Sequence, residues 1–253
     1  MHNIYDAAIM AHPGVCRTQL AAAQWYFWPG RKPGKLQPIP LPAPCWDVVS
    51  TDFIVHLPVS DGFGSIMVVV DKLSKRPVYI PTHTTATAED IAKLFFNHVI
   101  RYYGIPSTII SDRDPKFTSK FWAALTSLMK IKTAMTTAHR AQADGQTERQ
   151  TRTLEDSLRC SISYHGNDWN EHLPMTEYVH ATLVSSSSKM SPFFVDTGRQ
   201  PKSPLQSSDR AQPTELSRVE YASRFVQHRQ DVIERARQNL LKAQAAQKNF
   251  YDK

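Results

Sequence analysis

Residues 46–54 read WDVVSTDFI, a run of β-branched and aromatic side chains with the carboxylate of Asp52 inside it. Side chains of this kind are enriched in β-strands, so the run predicts a first strand over 48–57. An aspartate is disfavoured within a strand, and burying its charge without a partner is costly. Asp52 is therefore a candidate for chemistry, and the alternative is an acid satisfied at the edge of a sheet.

Elements that alternate between strand and helix follow this run. Two strand patterns come in quick succession, at 65–70 (SIMVVV) and at 75–80. A helix capped by Thr87, with acids in its first turn, is ended by Gly104. The remaining elements are strands at 107–111 and 131–135 and helices at 119–129 and 146–164. This order predicts an α/β fold whose five-stranded mixed sheet is flanked by helices.

The two ends of the chain differ from this central part. The pattern of residues 1–30 predicts a short helical segment. Residues 31–45 contain five prolines, and this predicts an extended linker. Residues 168–184 predict a further helix, and residues 215–251 predict a long one. Apolar residues recur every seven positions along the long helix, at Val219, Val226, Ile233 and Leu240. The long helix therefore either lies against its own domain or pairs in a coiled coil.

Bulk composition restricts the class of protein. The chain has 253 residues, 41% of them hydrophobic, so it can bury a core. Its formal net charge of +7 suits a polyanionic partner, although many basic proteins bind none. Three widely spaced cysteines predict neither a disulfide framework nor a zinc motif. No apolar run approaches the roughly 20 residues of a membrane span, and the N-terminus lacks the pattern of a signal peptide.

Two further acids occupy positions comparable with that of Asp52. Asp112 ends the apolar strand at 107–111, and Glu148 opens the helix at 146–164. Taken singly, Asp112 could begin a turn, and Glu148 could complement the positive end of its helix. Taken together, a strand interior, a strand end and a helix start can converge at one edge of an α/β sheet. Convergent carboxylates repel one another unless cations lie between them, and oxygen ligands suit Mg²⁺ or Mn²⁺.

Three carboxylates of this kind would suit two metal ions. Two such ions roughly 3.5–4 Å apart can polarise an attacking oxygen and stabilise a leaving one in an in-line phosphoryl displacement. Asp52 would bridge both ions, and Asp112 and Glu148 would each hold one. The attacking group would be water for cutting or a DNA 3′-hydroxyl for joining. The three acids are therefore interpreted as the catalytic and metal-binding residues of a phosphoryl-transfer site.

The spacing of the three acids resembles that of a known enzyme family. Fifty-nine residues lie between Asp52 and Asp112, and 35 lie between Asp112 and Glu148. This is similar to the D,D(35)E triad of retroviral and retrotransposon integrases. The surrounding words resemble the Ty3/gypsy branch in particular: VVVDKLSKR (68–76), YYGIPSTIISDRDPKFTSKFW (102–122) and ADGQTERQTRTLEDSLR (143–159).

The resemblance covers residues 46–205 and implies an RNase H-like catalytic core there. It implies 3′-end processing and strand transfer of retrotransposon DNA, with two Mg²⁺ or Mn²⁺ ions held by Asp52, Asp112 and Glu148. It also implies element ends and target DNA as partners, a homo-oligomer as the active form, no membrane, and a nuclear location. The alternatives are an element-derived fragment that binds nucleic acid without integrating it, and an RNase H-like nuclease.

Basic and polar residues near the triad are expected to hold the DNA. Arg149, Arg152 and Arg159 lie on the helix of Glu148, and Arg152 shares the face of that acid. Basic side chains beside three acids favour a polyanion held at a metal site. The alternative is an i,i+4 pair between Glu148 and Arg152, or a solvated face. The resemblance to integrases implies four further contacts with DNA: Lys116, His139, Gln142 and Gln146.

Both ends depart from the family pattern. Residues 1–30 resemble a remnant of the family's N-terminal zinc-binding region, with His12 present but Tyr5 at the position of the first histidine. The family's CxxC after WPG (28–30) is absent, so no zinc is predicted. Residues 206–253 are interpreted as a C-terminal helical extension, which stops where family members continue into a small DNA-binding module. The expected order is thus remnant, linker, core and extension.

Overall fold

The structure is a computed structural model that describes residues 41–42, 44–111, 115–135, 145–201 and 218–251. Five strands form one sheet: β1 Val48–Ile54, β2 Ser65–Asp71, β3 Pro77–Thr82, β4 Thr108–Ser111 and β5 Lys132–Met135. Their order across the sheet is β3-β2-β1-β4-β5. The predicted five-stranded mixed sheet is therefore confirmed.

Helices flank the sheet and extend beyond it. Their bounds are α1 Ala88–Phe95, a π-helical turn Phe96–Ile100, α2 Arg101–Tyr103, α3 Pro115–Thr118, α4 Lys120–Leu128, α5 Gly145–Ser161, α6 Trp169–Thr182, α7 Pro192–Thr197 and α8 Arg218–Tyr251. The described residues up to 246 form one compact unit, and the last residues of α8, from 247 onwards, belong to a second unit. Within the described ranges, no helix combines the length and the apolar character that a membrane crossing requires.

The central strand β1 joins the antiparallel and parallel halves of the sheet. It pairs with β2 in antiparallel register, with Asp52 opposite Val68. On its other side it pairs with β4 in parallel register, with Thr51 opposite Ser111. Because β1 has a hydrogen-bonded neighbour on each side, Asp52 is not an edge-strand acid, and that alternative is wrong.

Apolar side chains cover both faces of the sheet. Along β2, successive side chains belong alternately to two buried clusters. Met67 and Val69 belong to one buried cluster, and Val68 belongs to the other. The first cluster includes side chains from α1 and α4, among them Ile91, Phe95 and Trp122. The second includes side chains from α5 and α6, namely Leu154, Leu158, Trp169 and Leu173. Full burial of one such side chain stabilises the fold by about 1.5–3 kcal/mol, so both layers hold the sheet in place.

The expected ends of the helix after β3 are confirmed. The Thr87 hydroxyl accepts from the backbone N–H of Asp90, and the Asp90 carboxylate accepts from the backbone N–H of Thr87. This reciprocal pair is a capping box, and it satisfies two backbone donors at the start of α1. At the other end Gly104 has a φ of 90°, a conformation that side chains with a Cβ rarely adopt.

The π-helical turn changes which residues face the core. Even helical spacing predicts that Ile91, Leu94, Phe95, Val99 and Tyr102 share one face. Ile91, Phe95 and Val99 are buried, but Tyr102 is 67% exposed and Ile100 is buried instead. A π-helical turn places one extra residue in its turn, so the buried stripe moves by one position.

Two strands begin or end differently from the sequence prediction, for the same reason. The first strand was expected to reach residue 57, but it ends at Ile54, and His56 has a φ of 62°. The third was expected at 75–80, but it begins at Pro77, and Lys75 has a φ of 68°. A left-handed backbone cannot continue an extended strand, and hydrophobic alternation does not reveal it.

The long helix α8 packs against its own domain. Val232, Ala236 and Leu240 are buried, whereas Val226, a member of the predicted seven-residue seam, is 55% exposed. The Asn239 side chain also donates to the carbonyl of Ser188 at 2.8 Å. The buried residues recur every four positions and not every seven, as expected for a helix lying on a domain surface. The structure therefore favours this alternative over the coiled coil.

A polar cluster joins the start of β1 to α7. The indole N–H of Trp46 donates to Asp196 Oδ1 at 2.9 Å, and Arg76 forms an ion pair with the same carboxylate. The Trp46 ring stacks on Tyr103, and its backbone N–H donates to Asp71 at 2.8 Å. Asp196 is thus satisfied by two side chains that are distant in sequence, which is what a buried carboxylate requires.

Candidate active site

Helix α5 lies along the central strand. Thr147 Oγ1 donates to Ser50 Oγ at 2.6 Å, and Thr151 Oγ1 donates to Asp52 Oδ2 at 3.2 Å. Further along, Leu154 and Ile54 belong to the same buried cluster. Alternate residues of β1 face one side of the sheet, so these contacts follow the strand in order. The strand interior therefore presents Asp52 to the first half of α5.

One stripe of α5 explains this placement. Thr147, Thr151, Leu154 and Leu158 recur at helical spacing, polar at the N-terminal end and apolar at the C-terminal end. Thr147, Leu154 and Leu158 are buried, and Thr151 is half-buried. The polar half matches the hydroxyl and carboxylate of β1, and the apolar half matches the core. The sequence of α5 therefore fixes the position of the helix along the strand.

The carboxylate of Asp52 is half-buried and has an anchor on each oxygen. Its Oδ1 accepts from the backbone N–H of Phe53 at 2.8 Å, and its Oδ2 accepts from Thr151. Two donors on different oxygens set the rotation of the carboxylate plane. An oriented carboxylate is what a metal ligand or a catalytic base requires.

The other two members of the predicted triad are placed only by their neighbours. Glu148 lies in the first turn of α5, next to Thr147, and its side chain lies outside the described atoms. Asp112 lies outside the described residues, and Ser111 before it pairs with Thr51, directly before Asp52. The convergence of the three carboxylates therefore stays a prediction.

The donor set determines which metal the site would suit. Among the side chains that the structure describes, no group of three His, Cys, Asp or Glu residues is arranged to hold a metal ion. That set does not contain Asp112 or the side chain of Glu148. Asp52 supplies oriented carboxylate oxygens, and these fit the preference of Mg²⁺ and Mn²⁺ for hard oxygen ligands. The residues on which the zinc prediction rests, at 1–30, lie outside the described ranges.

Three of the predicted DNA contacts are described. Arg149, Arg152 and Arg159 are exposed on α5. Arg159 lies 3.9 Å from Glu155 and 3.7 Å from Asp156, and exposed pairs of this kind contribute little to stability. The side chains of Lys116 and Gln146, and the whole of His139 and Gln142, lie outside the described part. None of the seven is tested as a DNA contact.

One lysine near α5 has an altered charge. Burial, together with the positive charge of Lys72, lowers the pKa of Lys75 to about 7. The charge of Arg149 acts in the same direction, and that of Asp71 opposes it. The Lys75 amine donates to the carbonyl of Lys72. Lys75 is therefore only partly protonated near pH 7, and the positive charge next to the start of α5 is smaller than the number of lysines indicates.

Three hydroxyl residues of the site escaped the sequence analysis: Ser50, Thr147 and Thr151. The sequence does contain a pattern that could have indicated them, in the residue spacing of the strand and of the helix. Ser50 and Asp52 are two residues apart, which is one face of a strand, and Thr147 and Thr151 are four apart, which is one face of a helix. Pairing the two faces in order gives both observed hydrogen bonds.

Comparison with known proteins gives a family match around β1. The family model described as the integrase core domain matches residues 46–141. This part of the chain is therefore similar to integrase core domains. The matched part contains Asp52 and Asp112, and the resemblance to retrotransposon integrases that rested on motifs is confirmed.

Curated relatives of this chain are retrotransposon polyproteins. The chain is 38% identical over 162 residues to the Transposon Tf2-3 and Tf2-4 polyproteins of Schizosaccharomyces pombe. The match covers 64% of the chain and 12% of each polyprotein. The chain thus spans about an eighth of the length of these relatives.

One solved structure with a TM-score above 0.5 supports the fold of this chain. A simian T-cell lymphotropic virus intasome in complex with PP2A regulatory subunit B56 gamma has a TM-score of 0.54 at 16% identity. The match covers 83% of this chain and 76% of that chain. The HTLV-2 integrase catalytic core domain in complex with magnesium covers 59% of this chain, with a TM-score of 0.47 at 15% identity. The predicted RNase H-like fold is confirmed.

Proposed function

We propose that this integrase core catalyses DNA integration, by 3′-end processing and strand transfer of retrotransposon DNA. The observation that carries the proposal is the contact between Thr151 and Asp52. It holds the carboxylate of the central strand beside the first half of the helix that contains Glu148. The match of residues 46–141 to the integrase core domain adds the reaction class.

Asp52, Asp112 and Glu148 are the proposed catalytic residues and metal ligands. Two Mg²⁺ or Mn²⁺ ions bound there would activate the attacking oxygen and neutralise charge on the leaving oxygen of a phosphodiester. Thr151 and the backbone N–H of Phe53 keep the Asp52 carboxylate in one orientation. Preorganisation of this kind avoids reorientation of the carboxylate during the reaction.

Exposed cations on α5 would position the DNA. Arg149 and Arg152 are exposed near the N-terminal half of that helix. We assign them to phosphate contacts, which supply affinity and register without reading sequence. Lys116, His139, Gln142, Gln146 and Arg159 are proposed as further DNA contacts.

The partners follow from the same proposal. The substrates are the ends of a retrotransposon and a target duplex, and the site of action is the nucleus. An intasome shares the fold, and two DNA ends joined to one target need more than one active site. The active form is therefore proposed to be a homo-oligomer.

A joining assay tests the proposal. The protein is incubated with Mn²⁺, a supercoiled plasmid and short duplexes whose terminal bases are randomised, and covalent joins are counted by sequencing. Asp52→Asn and Asp112→Asn remove proposed ligands, and Asp156→Asn is the matched control because it changes an exposed carboxylate on α5. Joins by the parent and by the control, with a loss of more than 100-fold in both ligand variants, support the enzyme.

Other outcomes contradict the proposal in distinguishable ways. DNA binding without joining by the parent protein would identify a nucleic-acid-binding fragment. Cleavage of the RNA strand of a hybrid, without joining, would identify an RNase H-like nuclease. Joining by Asp52→Asn at the parent rate would exclude the assigned site.

A further inference from the structure

A chain of buried and half-buried polar groups lies between β3, α5 and α6. The Gln150 amide donates to the Tyr79 hydroxyl at 2.5 Å, and that hydroxyl lies 2.7 Å from His180 Nδ1. On the other side of the same ring, Ser157 Oγ lies 2.9 Å from His180 Nε2. His180 and Tyr79 are 8% and 5% exposed. These four residues, named here the His180 bracket, connect β3, α5 and α6.

The hydrogen positions in the bracket follow from the donor at one end. The Gln150 nitrogen carries two protons and only donates, so the Tyr79 oxygen accepts and its own proton goes to Nδ1. Burial raises the pKa of Tyr79, so the hydroxyl keeps that proton. Nε2 then carries the imidazole proton and donates to Ser157. A neutral imidazole therefore satisfies both contacts of the ring.

A protonated imidazole does not fit while the Gln150 amide keeps this orientation. Nδ1–H would face the Gln150 amide nitrogen, which is also a donor and lies 3.2 Å away. The Tyr79 proton would lose its acceptor at the same time. Burial lowers the pKa of His180, in agreement with a ring that is held neutral.

In the described part of the chain, the hydrogen-bond partners of the ring come from β3 and α5. From β3 the group that faces it is Tyr79, and from α5 the groups are the uncharged Gln150 and Ser157. On α6 itself, Glu177 lies one turn earlier and accepts from the backbone N–H of Tyr79 at 2.7 Å. That carboxylate holds α6 to the same residue of β3, so Tyr79 is bound to α6 through both its backbone and its side chain.

The bracket fixes the rotation of α5 about its own axis. Gln150 and Ser157 are seven residues apart, about two turns, and both contact one imidazole. Glu148 precedes Gln150 by two residues in this helix, and Thr151 follows it and holds Asp52. A rotation of about 10° moves an atom roughly 6 Å from the helix axis by about 1 Å. A displacement of that size at a reacting centre can cost about 100-fold in rate.

We propose that His180 is a positioning residue for two proposed metal ligands, Glu148 on α5 and Asp52 held by α5, and that the bracket holds only while its imidazole is neutral. The inference rests on the proposed function, because it assigns Glu148 and Asp52 to the catalytic site. According to this inference, protonation of His180 slows DNA joining, although His180 is not itself a proposed metal ligand or DNA contact.

Substitutions at His180 separate positioning from packing. His180→Phe keeps a buried ring and removes both hydrogen bonds, whereas His180→Gln keeps a donor and an acceptor without a group that titrates near neutrality. His172→Gln is the control, because His172 lies on the same helix, is half-buried and pairs only weakly with Asp168 at 3.8 Å. Tyr79→Phe breaks the bracket with the smallest change in volume and serves if His180→Phe does not fold.

Single-turnover joining rates are measured from pH 7.5 to pH 5.5. We expect a loss of about tenfold or more in His180→Phe and in Tyr79→Phe at pH 7.5, recovery of most of the rate in His180→Gln, and the parent rate in His172→Gln. On acidification the parent should lose rate faster than His180→Gln. Superimposable pH profiles of the parent and His180→Gln, or a parent rate in Tyr79→Phe, would overturn the inference.

Amide hydrogen exchange along α5 tests the bracket without requiring the protein to join DNA. Exchange in residues 147–152 should accelerate between pH 7.5 and 5.5 in the parent, after correction for the intrinsic rate, but not in His180→Gln. A parent that joins no DNA contradicts the proposed function, yet the exchange data still test the bracket. Equal corrected protection of the two proteins at both pH values contradicts the bracket, whatever the activity.

Discussion

Thr151 on α5 donates a hydrogen bond of 3.2 Å to the Asp52 carboxylate on β1, so the helix orients the acid of the central strand. Thr151→Val keeps the shape of the side chain and removes the donor. We expect the joining rate to fall about tenfold, since a hydrogen bond to a charged group contributes about 1.5 kcal/mol. Thr153→Val is the control, because Thr153 donates only to the carbonyl of Arg149 and is exposed. An equal loss in both variants would assign the effect to the helix and not to Asp52.

Metal ions should stabilise the folded protein through Asp52. A ligand present at about ten times its dissociation constant adds about 1.4 kcal/mol to the free energy of unfolding. For a domain of this size we expect Mn²⁺ to raise Tm by about 3–6 °C. Asp52→Asn should show no such rise, and Asp156→Asn should behave as the parent. Thermal unfolding with and without Mn²⁺ checks this, and a full rise in Asp52→Asn would place the ions elsewhere.

The stability of the protein should depend on pH through Lys75. Folding lowers the pKa of this amine from 10.5 to about 7, mainly because the amine is buried. The folded state therefore binds the proton less tightly than the unfolded state, and the stability present above pH 10.5 is lost as pH falls to about 7. Lys75→Met removes this loss.

We expect Lys75→Met to be more stable than the parent at pH 6–7, by on the order of 3 kcal/mol, and the difference to shrink toward pH 10. Denaturant titrations at pH 6, 8.5 and 10 measure the free energy of unfolding. Lys130→Met is the control, because Lys130 shares the positive φ but is exposed. A difference between Lys75→Met and the parent that does not change with pH would contradict the assigned pKa.

Adjacent leucines of α8 should differ in their effect on stability. Leu240 is 3% exposed, and Leu241 is 52% exposed. Leu240→Ala removes buried methyl groups and leaves a cavity, so we expect a loss of about 2–4 kcal/mol in the free energy of unfolding. Leu241→Ala should cost less than about 0.5 kcal/mol. Similar losses in the two variants would show that α8 does not pack on this face.

Short-range patterns explain why much of the fold was predictable. The cap at Thr87, the buried strand at 65–70 and the acid within 46–54 each depend on neighbours a few residues away. Backbone φ and helix register are different, since His56 in a left-handed conformation and the π-helical turn at Phe96–Ile100 leave no hydrophobic signature. Because of these local features, the strand ends and the buried face of the first helix differ from those predicted from the sequence.

The candidate site also has a part that the sequence predicted and a part that it did not. The position of Asp52 inside a predicted strand indicated a functional acid, but it did not predict that Thr151 would donate a hydrogen bond to it. The His180 bracket was not predicted either, because it brings together residues from three elements, with His180 separated from Tyr79 by 101 positions. Contacts between distant residues depend on how the layers pack, which a single sequence does not display.

The bond between Trp46 and Asp196 joins residues 150 positions apart and has a consequence for folding during synthesis. All five strands have been made once Met135 has left the ribosome, but the acceptor for the Trp46 indole and the Arg76 guanidinium comes about 60 residues later. At 5–20 residues per second that delay lasts roughly 3–12 s. During this interval α5 and α6 are also still being made, so one face of the sheet stays uncovered until the contact with Asp196 can form.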